Sequence, residues 1–395
     1  MSFLIYPTIK ESPFLSVLGM GGGGTGTVIG GAGPDMTEDY NTNTYYVIIP
    51  YHASNTGGSG NRIALFNPTT GKYAADFETS TSSGKIYRFG DSIVRTSNNS
   101  SGYTHYNYNN NWTETSGTFY SGYKGDEVKI SSTRLFTVSW GSSGSSQANI
   151  RVYSVGLSGL TNTNNYTQSN IGTYNSTYGM IDNPVLGGQA NVTASTGILS
   201  SIYRIHGKAP HDNSSNAWEK RFVLQISNNS TGQHSVSSYQ DNSGNYSRPI
   251  AGTGWNGYCY TSGMDGSRTY ITNGTSSVGW SGTQVIPPTN GFHGVGVLGS
   301  SGRFLTIAKS GSTHYFSFLE WNGNLSYQYT IPTTSGATVQ QYPNGAATCD
   351  YDSTANKIRV RIYNSSTTAW SAMFAATEYP PNNMLNYGYR KIITY

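Results

Sequence analysis

Charge is scarce in this sequence. Asp, Glu, Lys and Arg make up 11 % of its 395 residues, with a net charge of +4; soluble domains typically carry about 25 %. No run of Lys or Arg exceeds two residues, so the basic patch that a nucleic-acid binder needs is missing. No apolar run approaches the roughly 18 residues of a membrane span. The first residues, MSFLIYPTIKESPF, have neither the basic start nor the long apolar stretch of a secretory signal, so export by that route is not expected. Cysteine is nearly absent. Cys259 and Cys349 are read as inert thiols in small-residue strands, two repeats apart and beyond disulfide reach. Without a disulfide framework the chain does not resemble an ordinary secreted domain.

Acidic residues are too few for an obvious catalytic pair. A glycosidase needs two carboxylates flanking the scissile bond. Here Asp91, Asp265, Asp350 and Asp352 are read at turns, and the adjacent pairs Glu38-Asp39 and Asp126-Glu127 point to opposite faces of a strand. Histidines are scattered. Only His206 and His211, with Asp212, are read into one loop, and a solvated loop explains them as well as a metal site does. Gly19–Gly24 has the spacing of a dinucleotide-binding loop but no strand–helix context, and no Gly-Lys-Ser/Thr follows. No cofactor, metal or catalytic residue is expected, and the chain reads as a non-enzyme.

What fills the chain instead is glycine, 49 residues, and tyrosine, 32 residues, among Ser, Thr and Asn. Low charge with so many aromatic and β-branched residues argues for packed β-structure rather than disorder. The clearest stretch is AATCDYDSTANKIRVRIY, 346–363. It reads as a small-residue strand, a polar turn and a second strand in which Ile358, Val360 and Ile362 alternate with Arg359 and Arg361, the mark of a half-buried strand. The pattern recurs at 85–97, 128–140, 192–207, 258–274 and 295–311, and more loosely at 27–33 with 44–52. Seven copies near the length of a propeller blade predict an all-β fold: a single β-propeller, most simply of seven blades with four short antiparallel strands each. Uneven spacing leaves six or eight blades, or a pair of β-sandwiches, as alternatives. The expected division is an apolar, Gly-rich arm over 1–26, a propeller over 27–379, and a tail over 380–395 that either closes the ring or projects from it.

Blade geometry then sorts the loops. Short turns share one face, and the loops read at 52–61, 157–191, 206–217 and 240–257 share the other. They carry Tyr166, Tyr174, Tyr178, His211, Trp218, Tyr246 and Trp255. Aromatics beside Asn, Ser and Gly give wide contacts at low entropy cost, so this face is the expected ligand surface, suited to an uncharged glycan. The competing expectation is that these rings pack between blades.

In the arm, Phe3, Leu4, Ile5, Phe14, Leu15, Val17 and Leu18 are too apolar for a free tail, and a partner-docking arm competes with a simple Gly hinge as its reading. The arm LGMGGGGTGTVIGGAG, the Tyr/Asn/Ser/Thr/Gly-rich body and the low charge together resemble a bacteriophage virion structural protein of the tail, fibre or capsid-surface type. That resemblance is one of style and rests on no shared motif. It implies synthesis in the host cytoplasm, location in the virion, several copies per assembly, other virion proteins as partners of the arm, and host-surface glycan as a ligand of the body. A stand-alone propeller lectin is the alternative, and a polysaccharide-degrading enzyme follows it.

Overall fold

The computed structural model describes residues 38–53, 58–80, 84–97, 101–119, 123–140, 147–169, 187–193, 201–210, 219–228, 234–241, 248–255, 258–265, 268–274, 280–285, 293–298, 303–310, 313–319, 325–332, 337–342, 345–354, 356–364, 369–375, 379, 381–385 and 393–394. Strands dominate, and among the described residues the one helical element is the 3-10 turn Tyr108–Asn110. No helix among the described residues is long and apolar enough to cross a membrane.

The strands fall into four-stranded antiparallel sheets. The first contains β1 (Val47–Ala53), β2 (Asn61–Asn67) and β3 (Lys72–Glu78). The second contains β4 (Ile86–Phe89), β5 (Ser92–Thr96), β6 (Gly102–Asn107) and β7 (Thr115–Thr118). The third contains β8 (Tyr123–Ser131), β9 (Arg134–Trp140), β10 (Gln147–Gly156) and β11 (Gly159–Ser169). The next three are β12 (Gly187–Thr193), β13 (Ser201–Pro210), β14 (Glu219–Asn228) and β15 (His234–Asp241); β16 (Arg248–Trp255), β17 (Tyr258–Asp265), β18 (Arg268–Gly274) and β19 (Trp280–Val285); and β20 (His293–Leu298), β21 (Arg303–Ser310), β22 (Thr313–Leu319) and β23 (Leu325–Pro332). The last contains β24 (Ala337–Tyr342), β25 (Gly345–Asp352), β26 (Lys357–Asn364) and β27 (Ala369–Ala375), and two C-terminal strands follow, β28 (Pro381–Met384) and β29 (Ile393–Thr394). This repetition of four-stranded meanders is a β-propeller architecture, as the sequence predicts.

The C-terminal strands join the sheets of the first, second and last units. Residues 27–33, read as the first strand of the first unit, lie outside the described residues. Beside β1 lies β28, in the order β28-β1-β2-β3, with Tyr51 opposite Met384 and His52 opposite Asn383. Strand β29 pairs in parallel with both β24 and β4, joining the last and second units into one nine-stranded sheet. Residues 381–384 and 393–394 therefore belong to the sheets and are not a projecting tail. The phase of two repeats also shifts. In the copies at 258–274 and 346–363 the paired strands are the second and third of their units, because β16 and β24 precede them. Alternation identifies a strand, and a short Gly/Asp or Asn turn identifies a hairpin, but neither encodes a strand's rank in its sheet.

Packing explains why β1 is buried almost throughout. Its odd residues Val47, Ile49 and Tyr51 cluster with Cys349, Ile358 and Val360 of the last unit and with Met384 of the neighbouring strand β28. Tyr46 and Ile48 face the second unit through Ile86, Ile93, Tyr106 and Trp112. The first sheet is a layer between the last and the second, so both faces of β1 are covered. The same reason corrects the half-buried reading of β26. Ile358 and Val360 are fully buried, and the opposite face is largely buried as well: Arg361 is 3 % exposed and pairs with Asp350, which is 0 % exposed. Full burial contributes about 1.5–3 kcal/mol for each such aliphatic side chain, so these interfaces carry most of the cohesion. Phe77 and Trp112 stack with ring centroids 5.2 Å apart, and Tyr40 meets Trp112 edge-on at 5.1 Å.

Candidate functional site

The buried charges come first, because a catalytic centre would draw on them. Asp76 accepts from Arg62 Nε at 2.9 Å and from the Tyr51 hydroxyl at 2.6 Å, and its backbone carbonyl accepts from Arg62 Nη2 at 3.0 Å. Tyr379 lies across the guanidinium, 4.6 Å from ring centroid to Cζ. Burial, and next the Asp76 charge, push the Tyr51 hydroxyl well above its ordinary pKa. Asp350 is held by both Arg359 and Arg361. It sits in the body of β25, not at a turn as the sequence reading had it. Glu127, also buried, accepts from the Thr96 hydroxyl. Each buried carboxylate thus staples strands together. Lys129 donates to the Arg88 carbonyl at 2.6 Å, and burial followed by the Arg88 charge draws its pKa down to about 8. No group of three or more His, Cys, Asp or Glu side chains suited to a metal occurs among the described residues.

A groove opens instead where the first and last units meet. Thr44 and Tyr45 lead into β1, Asn67–Thr70 form the β2–β3 turn, and Ile362 comes from β26. The cavity measures about 390 Å³. The turn is NPTTGK: the Asn67 carboxamide oxygen accepts from the Thr69 N–H at 2.9 Å, and the Gly71 N–H returns to the Asn67 carbonyl at 2.9 Å. Gly71 has φ +71°, a left-handed conformation that favours glycine. Glu38 braces the turn from behind. Its two carboxylate oxygens accept from Asn67 Nδ2 and from the Thr70 hydroxyl, each at 2.7 Å, and its N–H donates to the Tyr73 carbonyl at 2.8 Å.

The segment leading into β1 is fixed as well. Arg88 donates to the carbonyls of Thr42 and Thr44 and to the Tyr40 hydroxyl, at 2.9, 2.7 and 2.8 Å. The Tyr40 hydroxyl donates in turn to the Gly90 carbonyl at 2.7 Å. Burial, opposed by Arg88, raises the pKa of Tyr40 to about 12. The groove wall is therefore rigid, and its lining residues are neutral.

The residues singled out from sequence fare unevenly. Tyr166 is on strand β11, opposite Ile150, and half-buried rather than on a loop. Trp255 ends strand β16 and pairs with Tyr258 across a short turn, again not on a long loop. Both strands formed because their runs of small and β-branched residues pair with long neighbours, a signal masked by high Gly, Asn and Thr content. His206 lies within β13 opposite Val223 and shares no loop with His211. Tyr174, Tyr178, His211, Asp212, Trp218 and Tyr246 lie outside the described residues, as do the arm residues Phe3, Leu4, Ile5, Phe14, Leu15, Val17 and Leu18. The groove was missed although its turn was legible, because its opposite wall comes from the far end of the chain.

No protein-family model matches the chain, and no curated protein matches it in sequence. Several solved structures resemble it in fold. The beta-propeller domain of the Trilobed protease from Pyrococcus furiosus is 7% identical with a TM-score of 0.49, covering 91% of this chain and 98% of that one. Dihydro-heme d1 dehydrogenase NirN is 11% identical with a TM-score of 0.45, covering 86% and 75%. The Dos1 propeller is 11% identical with a TM-score of 0.40, covering 74% and 73%. At such identities the likeness concerns fold and nothing more. The class that the strands define is a β-propeller of four-stranded antiparallel sheets with a neutral groove between its first and last units.

Proposed function

We propose that this chain is a non-enzymatic structural protein of a bacteriophage particle, a tail, fibre or capsid appendage. Its arm, residues 1–26, docks on other virion proteins through Phe3, Leu4, Ile5, Phe14, Leu15, Val17 and Leu18. Its body, a seven-bladed ring by the count of four-stranded units, binds uncharged glycan on a host surface. No cofactor takes part.

The observation that carries this reading is the way the chain enters the body. From Glu38 to Tyr46 it is bolted to two units by Glu38, Tyr40 and Arg88, so an arm leaving at Glu38 holds the body in a fixed attitude. An appendage needs such a mount. The buried carboxylates support the non-enzymatic part of the reading, since Asp76 and Asp350 already hold Arg partners away from solvent. The aromatics read on the long loops, Tyr174, Tyr178, His211, Trp218 and Tyr246, are one contact surface for a glycan.

Electron microscopy of the full-length protein in its native assembly tests the reading, alongside a variant lacking residues 1–24. The expected result is a ring-shaped body tethered to a larger particle, and a truncated body that folds but no longer incorporates. A dispersed protein with no particle partner, or normal incorporation of the truncated chain, would sink the anchoring role.

A further inference from the structure

We infer that the groove between the first and last units is a binding site for a neutral saccharide segment of one or two rings. The inference rests on the glycan-binding reading above and moves the contact to the face opposite the β1–β2 link. Size is the first argument. At about 390 Å³ the cavity falls in the lower part of the roughly 300–1,000 Å³ range of small-molecule sites.

The chemistry of the lining is the second argument. Thr44, Thr69 and Thr70 supply hydroxyl groups, the Thr70 proton already given to Glu38, and Tyr45, Pro68 and Ile362 supply apolar surface; the Asn67 carboxamide is spent within the turn and on Glu38. Sugars present the same combination, an apolar ring face rimmed by hydroxyls. The carboxylate nearest the turn, Glu38, has both oxygens engaged by Asn67 and Thr70, so it braces the wall. An anionic ligand has no cationic side chain in the lining to meet, and a cationic one has no carboxylate there. A wholly apolar ligand would strip water from the exposed Thr69 and Thr70 hydroxyls without replacing their hydrogen bonds.

Rigidity is the third argument. The turn is closed by the Asn67–Thr69 and Gly71–Asn67 hydrogen bonds, and the approach to β1 is held by Arg88. A wall that is already ordered loses little entropy on binding, which matters for a weak, small ligand. Thr69 is exposed at the rim, where its hydroxyl reaches solvent and an entering sugar alike.

Saturation-transfer NMR on the full chain, with neutral hexoses and N-acetylhexosamines as probes and sialic acid as the charged comparison, tests this. Millimolar binding of at least one neutral sugar is expected, without binding of sialic acid. Thr69→Trp, which fills the groove from an exposed position, and Tyr45→Ala, which removes its aromatic wall, should each weaken that binding tenfold or more. Leu157→Ser, at the exposed β10–β11 turn, should leave it unchanged. If Tyr45→Ala fails to fold, as judged by circular dichroism, Thr69→Trp decides alone. Undiminished binding in the groove variants overturns the inference and leaves the glycan reading standing, and loss on Trp218→Ala would then assign the sugar to the long loops. Failure of the unmodified chain to bind any neutral sugar overturns both.

Discussion

The side chain of Gln340 completes the backbone hydrogen bonding of Ile48, a residue 292 positions earlier in the chain. Gln340 Oε1 accepts from the Ile48 N–H at 2.7 Å, and Gln340 Nε2 donates to the Ile48 carbonyl at 2.6 Å. The amide thereby acts as one residue of a missing strand. Strand β28 pairs with β1 from Ala53 to Tyr51, and the Leu385 N–H reaches the Pro50 carbonyl at 3.1 Å. Beyond that point no strand among the described residues lies beside this edge of β1, and Gln340, itself on β24 and 2 % exposed, covers it. Buried backbone groups are almost always paired, and here one side chain from the last unit does so for the first.

Gln340→Ala should therefore destabilise the protein by about 2–4 kcal/mol, since each buried backbone group left unpaired costs roughly 1–3 kcal/mol. Chemical denaturation measures it. Gln340→Glu separates the donor from the acceptor. An ionised carboxylate still accepts from the Ile48 N–H but opposes its carbonyl, so the protonated form is favoured in the fold and the folded pKa is raised. The variant should come closest to the parent in stability below the unfolded value of about 4.3 and lose ground as pH rises through the folded value. Parent-like stability of Gln340→Ala would show that Ile48 finds another partner.

The C-terminal strands close the structure. Met384 and Leu385 are 2 % and 5 % exposed, packed against the last and second units respectively. Deleting residues 381–395 removes both, at about 1.5–3 kcal/mol each, and opens the edge of β1 from Pro50 to Ala53. Exposed edges recruit other chains. The expected outcome is a denaturation midpoint shifted well downward together with concentration-dependent association in size-exclusion chromatography. A truncated chain that remains monomeric and equally stable would show that β28 is dispensable.

How much of this was legible in the sequence depends on what each feature requires. Alternation in residues 358–362 is local, and it was read. The rank of β25 and β26 in their sheet was not, since it depends on β24 lying before them. Pro381–Met384 carries Pro and two Asn, residues depleted in strands, and is a strand only because β1 needs a partner. Arg361 looked like a solvent-facing residue until the neighbouring sheet covered it and Asp350 met its charge. The groove joins Tyr45 to Ile362, a juxtaposition that exists only once the first unit meets the last.

The Arg62–Asp76 pair is a test of charge burial. Both side chains are almost inaccessible, 2 % and 1 % exposed. Burial opposes the charge of Arg62, and the Asp76 carboxylate more than compensates, lifting the guanidinium pKa above its usual value. Asp76→Ala strands that cation and should cost about 3–5 kcal/mol. Tyr51→Phe removes a single hydrogen bond to a charged group and should cost about 1.5–3 kcal/mol. Replacing both charges together, Arg62→Met with Asp76→Leu, should recover much of the loss of Asp76→Ala, because no charge remains unpaired. Denaturation of the three variants gives the comparison, and a double variant worse than Asp76→Ala would mean that packing around the pair, not charge, sets the cost.

His105 gives the fold a pH dependence whose sign is fixed. Its ring lies between β5 and β7, 1 % exposed, with Nε2 3.1 Å from the Ser92 hydroxyl and Nδ1 3.3 Å from that of Thr115. Burial lowers its pKa, opposed by hydrogen bonding of the ring to the Gly156 backbone. The neutral ring belongs to the folded state, whereas in the unfolded chain the ring takes up a proton near pH 6.5. The unfolded state then binds more protons, so stability falls as pH drops below about 6.5 and levels off once pH is under the folded value. Denaturation midpoints at pH 8 and pH 5 should differ in this direction, and His105→Gln, which keeps a polar side chain without the titration, should narrow the difference. An unchanged difference in His105→Gln would place the pH sensitivity on other groups.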